Sequence, residues 1–248
     1  SSSCHRFRLP VAAMFALFLG SCASTKLAIR PPLPPAVALN DIAQGQKQLV
    51  VMLAFEDGAK YPFLVDTGAG CSLIHSSLRN RLGQKIGESK VDWAFYDEAP
   101  ADVYPAPGLF LGGTRLITGD RFLCADFSDN EHDAIKGILG YDCLKHYCVQ
   151  FDFQAQQLRF LDPDRLNVSE LGTPHRMLRF ANAAFVTTEL PGVGRQRLRL
   201  DTGMSGTDFM LKPSTFNRLV RSLETSKTFE WKVEGASDEA RGRTLFCK

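Results

Sequence analysis

The sequence carries almost no net charge: 29 Lys and Arg stand against 27 Asp and Glu in 248 residues, a formal +2. The basic residues are scattered rather than gathered on one stripe, so there is no electrostatic footprint for a nucleic-acid partner. The densest run, Arg195-Gln196-Arg197-Leu198-Arg199, alternates and reads as the solvated face of a half-exposed strand. No apolar stretch reaches the ~20 residues of a comfortable transmembrane helix. No glycine-rich stretch ends in Gly-Lys-Ser/Thr, so Gly112-Gly113 is a hairpin turn and not a phosphate loop. Cys143 and Cys148 lack a companion pair at metal-ligand spacing, and no zinc site, other metal or cofactor is expected. Glu131-His132-Asp133 looks ligand-like but reads as solvated loop. Long capped amphipathic helices are missing too, which leaves a mostly-strand reading. At 44% hydrophobic and 23% charged, the chain is globular in composition and long enough for one large all-β domain or two smaller ones.

What is present begins at the N-terminus. His5, Arg6 and Arg8 precede an apolar run of signal-peptide length, Leu9 to Leu19, which ends in Leu19-Gly20-Ser21-Cys22. That ending resembles the lipobox of bacterial lipoproteins. The resemblance implies residues 1–21 as a lipoprotein signal peptide and Cys22 as the lipidation site. It also implies a lipid anchor in the bacterial cell envelope, with Ala23 pointing to the outer membrane and the periplasm. Residues 22–40 are a Pro-rich tether: Arg30-Pro31-Pro32-Leu33-Pro34-Pro35 is a stiff, extended spacer. Beyond it lie Cys71, Cys124, Cys143, Cys148 and Cys247, an odd number whose pairing the sequence leaves open.

The rest of the chain repeats itself. At an offset of 135 residues, Val51-Met52-Leu53-Ala54-Phe55, a Gly-containing turn and Lys60 to Gly68 lie over Val186 to Leu190, a second Gly-containing turn and Arg195 to Gly203. Each copy reads strand, turn, strand, Asp-Thr-Gly. Apolar residues then resume, Leu73-Ile74 in the first copy and Phe209-Met210-Leu211 in the second, followed by short helical or turn segments over 76–82 and 213–223. Between the copies, 109–116, 122–127 and the pair 149–153 with 157–161 read as further strands and hairpins. By average residue usage one Asp-Thr-Gly arises by chance in such a chain at the level of a few per cent. Two, at matching places and each closing an apolar strand, are a signal.

Asp66-Thr67-Gly68-Ala69, Asp201-Thr202-Gly203 and Ile138-Leu139-Gly140 together resemble the aspartic proteases, pepsin-like and retroviral-type. The segment Gly137 to Leu144 is similar to that of bacterial retropepsin-like proteins. The resemblance implies all-β, closed β-barrel lobes in two tandem copies, residues 41–165 and 166–248. It implies an aspartic endopeptidase in which Asp66 and Asp201 share one proton and activate a water for attack on a peptide or protein substrate. In that chemistry Thr67 and Thr202 hydrogen-bond across the interface, while Gly68 and Gly203 let backbone N–H groups approach the carboxylates. Water attacks directly, so neither an acyl-enzyme nor a metal takes part.

Three features depart from the family pattern. Met204 stands where a small residue is usual. The flap is not obvious, its candidate being 86–104 with Trp93, Phe95 and Tyr96. The counterpart of Gly137-Ile138-Leu139-Gly140 would fall near position 272, so the second lobe is expected to be truncated and this fragment inactive as it stands, either completed as a pseudo-dimer by the parent or paired as a homodimer. Ala69 and Met204 carry no hydroxyl to lower the dyad's pKa, so a pH optimum nearer neutral than pepsin's is expected. The alternative reading is a non-catalytic peptide-binding lipoprotein that keeps the fold. A cysteine hydrolase built on Cys71 and His75 is the remaining one.

Overall fold

Val50–Phe55 and Lys60–Val65 are apolar at nearly every inner position because the sheet they form is covered on both faces. Period-two alternation sends Val51, Leu53, Phe63, Val65, Ile74 and Leu139 into one buried cluster, and Val50, Leu64, Leu73 and Ile138 into another on the opposite side. Met52, on the same side as Val50 but farther from the triplet, is 39% exposed. The double cover is therefore local to the end of the hairpin that carries Asp66.

The computed structural model describes residues 31–39, 49–92, 98–127, 134–167, 169, 171–204, 211–223, 226–234 and 239–247, with backbone alone over 226–247. Cys22 and the rest of residues 1–30, the flap-candidate aromatics Trp93, Phe95 and Tyr96, and Glu131-His132-Asp133 lie outside the described residues. Every described element belongs to the compact unit Pro32–Lys248. The chain is mostly β. Its largest sheet has nine strands in the order Gly87–Val91, Ala99–Pro105, Arg121–Ala125, Leu73–His75, Gly137–Leu139, Lys60–Val65, Val50–Phe55, Leu109–Leu111, Thr114–Arg115. The remaining sheets are Val37–Ala38 with Cys148–Asp152 and Gln157–Leu161, the trio Met177–Phe180, Ala183–Leu190 and Gly194–Arg199, and the hairpin Ser226–Glu234 with Glu239–Cys247. None of the four closes into a barrel. The Gly112-Gly113 turn has φ of 55° and 84°, the left-handed pair that a tight hairpin connection requires.

The repeat is visible as hydrogen-bond register. Val50 faces Leu64 and Ala54 faces Lys60 in the first hairpin; 135 residues later, Phe185 faces Arg199 and Glu189 faces Arg195. The extra bonds that close each hairpin onto its triplet match as well, Val65 N–H to the Leu49 carbonyl and Leu200 N–H to the Ala184 carbonyl. Burial does not repeat. Gly194–Arg199 alternates between half-buried and exposed positions, with its three arginines outward.

One short strand decides where the first triplet goes. Gly137–Leu139 lies between Lys60–Val65, with which it runs parallel, and Leu73–His75, with which it runs antiparallel. The two strands flanking the triplet loop are thus spread apart by a third. Asp66 N–H donates to the Leu139 carbonyl at 3.0 Å and Tyr141 N–H to the Ala69 carbonyl at 2.7 Å, so both sides of the loop hang on the wedge. The wedge can seat only because Gly137 has no side chain: a Cβ there would occupy the ring of fully buried Phe63. Gly137→Ala is expected to destabilise the protein by about 1–3 kcal/mol through overpacking, read as a lower urea midpoint at unchanged m-value.

Candidate active site

Each triplet follows the second strand of a hairpin, and the two triplets meet. Thr67 N–H donates to the Thr202 hydroxyl oxygen at 3.0 Å, and Thr202 N–H donates to the Thr67 hydroxyl oxygen at 3.1 Å. The Thr67 hydroxyl in turn donates to the Leu200 carbonyl at 3.0 Å, and the Thr202 hydroxyl to the Val65 carbonyl at 2.7 Å. Each hydroxyl spends its single proton on the carbonyl before the other copy's aspartate and accepts from the other copy's threonine amide. Four bonds related by a local two-fold relation fix the loops at the points from which the carboxylates spring. Arg199 adds a fifth crossing bond, its guanidinium donating to the Gly68 carbonyl.

The carboxylates are held by their own loops. Gly68 N–H donates to Asp66 Oδ1 at 2.6 Å, and Gly203 and Met204 N–H groups donate to Asp201 Oδ1 at 3.1 Å each. The copies also approach at the glycines. A Cβ on Gly68 would fall inside the Asp201 carboxyl, and one on Gly203 inside the Asp66 carboxyl. Each carboxylate therefore occupies the space that glycine leaves open in the opposite copy. Burial, then the adjacent Asp201 charge and a side-chain hydrogen bond to Asp201, push the Asp66 carboxyl from 3.8 up to about 6, against the pull of the Gly68 and Ala69 amides. Asp66, Asp201, Thr67, Thr202, Gly68 and Gly203 form one constellation within this chain. Met204 enters it through its backbone amide.

A buried polar knot behind the first loop had no role assigned from sequence. Ser72 is fully buried and Asp142 is 5% exposed. The Ser72 hydroxyl and amide donate to Asp142 at 2.6 and 3.1 Å, Cys143 N–H donates to Asp142 Oδ1 at 3.0 Å, and Gly140 N–H donates to the Ser72 hydroxyl at 3.0 Å. A carboxylate so satisfied fastens Gly140 and the Tyr141–Leu144 turn to the chain leaving the triplet. The available signal was an ionisable residue set among apolar ones in Ile138 to Leu144, the same oddity that marked Asp66. Arg199 was also missed, because its alternation in Gly194–Arg199 reads as plain solvent exposure.

Cys71 and His75 do not form a nucleophile pair. The His75 ring nitrogens face Ser77 Oγ at 2.8 Å and Asp126 Oδ1 at 3.1 Å. Burial and the Asp142 charge push the Cys71 thiol up to about 11, away from the thiolate that attack requires. Cys71, Cys124, Cys143 and Cys148 are free thiols. The flap candidate is a hairpin of Gly87–Val91 with Ala99–Pro105 at its base.

No family model matches the chain, and no curated protein matches it.

A folded-state Asp66 that keeps its proton up to about pH 6, against 3.8 unfolded, binds more protons than the unfolded chain between those values. Stability from this group therefore falls as pH rises from about 4 to about 6 and stays low above. Asp66→Asn, which carries no charge at any pH, is expected to raise stability by about 2 kcal/mol at pH 8 and by little at pH 3. Melting curves at the two pH values check this.

Proposed function

We propose that this chain is an aspartic-type endopeptidase and that its two repeats are lobes of an acid-protease fold, the first carrying Asp66 and the second Asp201. The observation that carries the reading is the reciprocal threonine exchange, with each carboxylate set against the opposite copy's glycine. That arrangement brings two acids from separate loops close enough to hold one proton between them.

The chemistry follows from a singly protonated pair. The ionised carboxylate takes a proton from a water lying between the two, and the water oxygen bonds to the carbonyl carbon of the peptide. The protonated carboxyl gives its proton to the carbonyl oxygen, forming a gem-diol. On collapse a diol hydroxyl returns its proton to the dyad, a dyad proton goes to the leaving nitrogen, and the C–N bond breaks. The loop amides of Gly68, Gly203 and Met204 keep both carboxylates oriented through the cycle. The flap candidate would close over the substrate from the Gly87–Val91 side. The Cys22 lipid anchor would hold the domain at a bacterial envelope membrane; the spacer is shorter than residues 22–40, because Val37–Ala38 pairs with Gln157–Leu161 and Val37 and Leu39 pack on the core.

Asp66→Asn and Asp201→Asn are each expected to lower kcat on a peptide library by at least about 10³-fold, and pepstatin is expected to block the unmodified chain. The kcat/KM profile should fall as pH rises through about 6, where the pair loses its shared proton. Peptide binding without cleavage would favour the non-catalytic binding reading, in which Met204 has replaced a small residue beside Asp201. A Cys22→Ser change is expected to move the protein from the membrane to the soluble fraction.

A further inference from the structure

Asp142 is 5% exposed. Among the described residues no lysine, arginine or histidine pairs with it; the Ser72 hydroxyl, the Ser72 amide and the Cys143 amide hold it instead. Burying a carboxylate without a cation costs free energy that an apolar residue of similar volume would not. The bonds it accepts have fixed directions, and those directions bear on the dyad.

The surroundings of Asp142 fit a carboxylate and reject its amide. Oδ1 receives the Ser72 hydroxyl and the Cys143 amide, and Oδ2 receives the Ser72 amide. An asparagine would turn its NH2 toward one of those two backbone N–H groups in either orientation, donor against donor. Glycines leave room for both oxygens: a Cβ on Gly140 would stand 3.0 Å from Oδ1, and one on Gly119 3.1 Å from Oδ2. The neighbouring Cys71 and Cys143 thiols feel the charge. Burial first, and then Asp142, pushes both of them up.

From Asp142 the constraint reaches Asp66 in few steps. Gly140 N–H donates to the Ser72 hydroxyl at 3.0 Å, and the Ser72 carbonyl accepts from Leu123 N–H at 3.0 Å, which ties Ser72 to the sheet. Gly140 stands between the two residues that grip the triplet loop. Leu139 accepts the Asp66 N–H at 3.0 Å on one side, and Tyr141 N–H donates to the Ala69 carbonyl at 2.7 Å on the other. Ala69 in turn hydrogen-bonds the Asp66 carboxyl through its own amide. We infer that Asp142 is a positioning residue of the dyad, fixing from behind the loop where the Asp66 carboxyl stands against Asp201. Its burial keeps it away from substrate. The consequence for rate rests on the endopeptidase reading; the consequence for Asp66 itself does not.

The test follows the Asp66 carboxyl directly. The full chain is labelled with 13C-aspartate in detergent micelles, and the Asp66 Cγ signal, identified by its loss in Asp66→Asn, is titrated by NMR. Loosening the loop lets water reach Asp66 and moves the Asp201 charge away, and both changes lower its pKa. In Asp142→Asn the Asp66 midpoint is expected to fall by about one pH unit. Ser72→Ala, which keeps the amide bond to Asp142 but loses the hydroxyl, should shift it the same way by less, and it decides the matter if Asp142→Asn does not fold. Leu158→Ala, a cavity in the fully buried core, lowers stability and should leave the midpoint in place. An Asp66 midpoint unchanged in both loop variants, or moved as far by Leu158→Ala, overturns the inference. On a peptide library, Asp142→Asn is expected to lower kcat by about 10- to 100-fold with little change in KM, because a small misplacement of the reacting group is enough. A shifted midpoint in a chain that cleaves nothing removes the endopeptidase and leaves the positioning role. Cleavage that both loop variants leave unchanged, with an unchanged midpoint, does the reverse.

Discussion

Two carboxylates share one dehydrated place between the repeats, and everything around them makes that tolerable. Like charges at contact in a partly buried site oppose ionisation, so Asp66 holds its proton up to about pH 6, where a surface aspartate would have lost it. The threonine exchange supplies the constraint. Because each hydroxyl donates to a carbonyl of the other copy and accepts an amide from it, neither loop can withdraw without breaking four bonds at once. The carboxylates stay together although their charges oppose it.

The two loops are supported unequally. The first loop is built into a large sheet, spread by Gly137–Leu139 and tied from behind through Ser72 and Asp142. Its hairpin is buried on both faces near the triplet. The second loop sits on a three-stranded sheet whose outer strand turns its arginines to solvent. The first half is thus the more deeply buried one, and the triplet contact, Arg199 and the Lys145–Asn182 bond join the second to it.

The sequence alone determined the local pieces. Strand, glycine turn, strand and triplet were legible twice because period-two apolar patterning and Asp-Thr-Gly are short-range signals, and the 135-residue offset carried over to the hydrogen-bond register. The turn at Gly112-Gly113, the hairpin of Cys148–Asp152 with Gln157–Leu161 and the helix Pro213–Ser222 were readable for the same reason. Asp66, Thr67, Gly68, Asp201, Thr202 and Gly203 could be named as a set from their repetition. Tertiary structure decided what no local pattern encodes: that a three-residue strand from position 137 wedges between residues 65 and 73, that Ser72 and Asp142 pair across 70 residues, that Arg199 leaves its solvent-facing row to reach Gly68, and that the sheets remain open. Those outcomes depend on which distant backbone groups find partners and which side chains lose water, and a carboxylate's pKa follows from the same dehydration. Periodicity says which face of a strand is apolar; only the packed chain says what covers it.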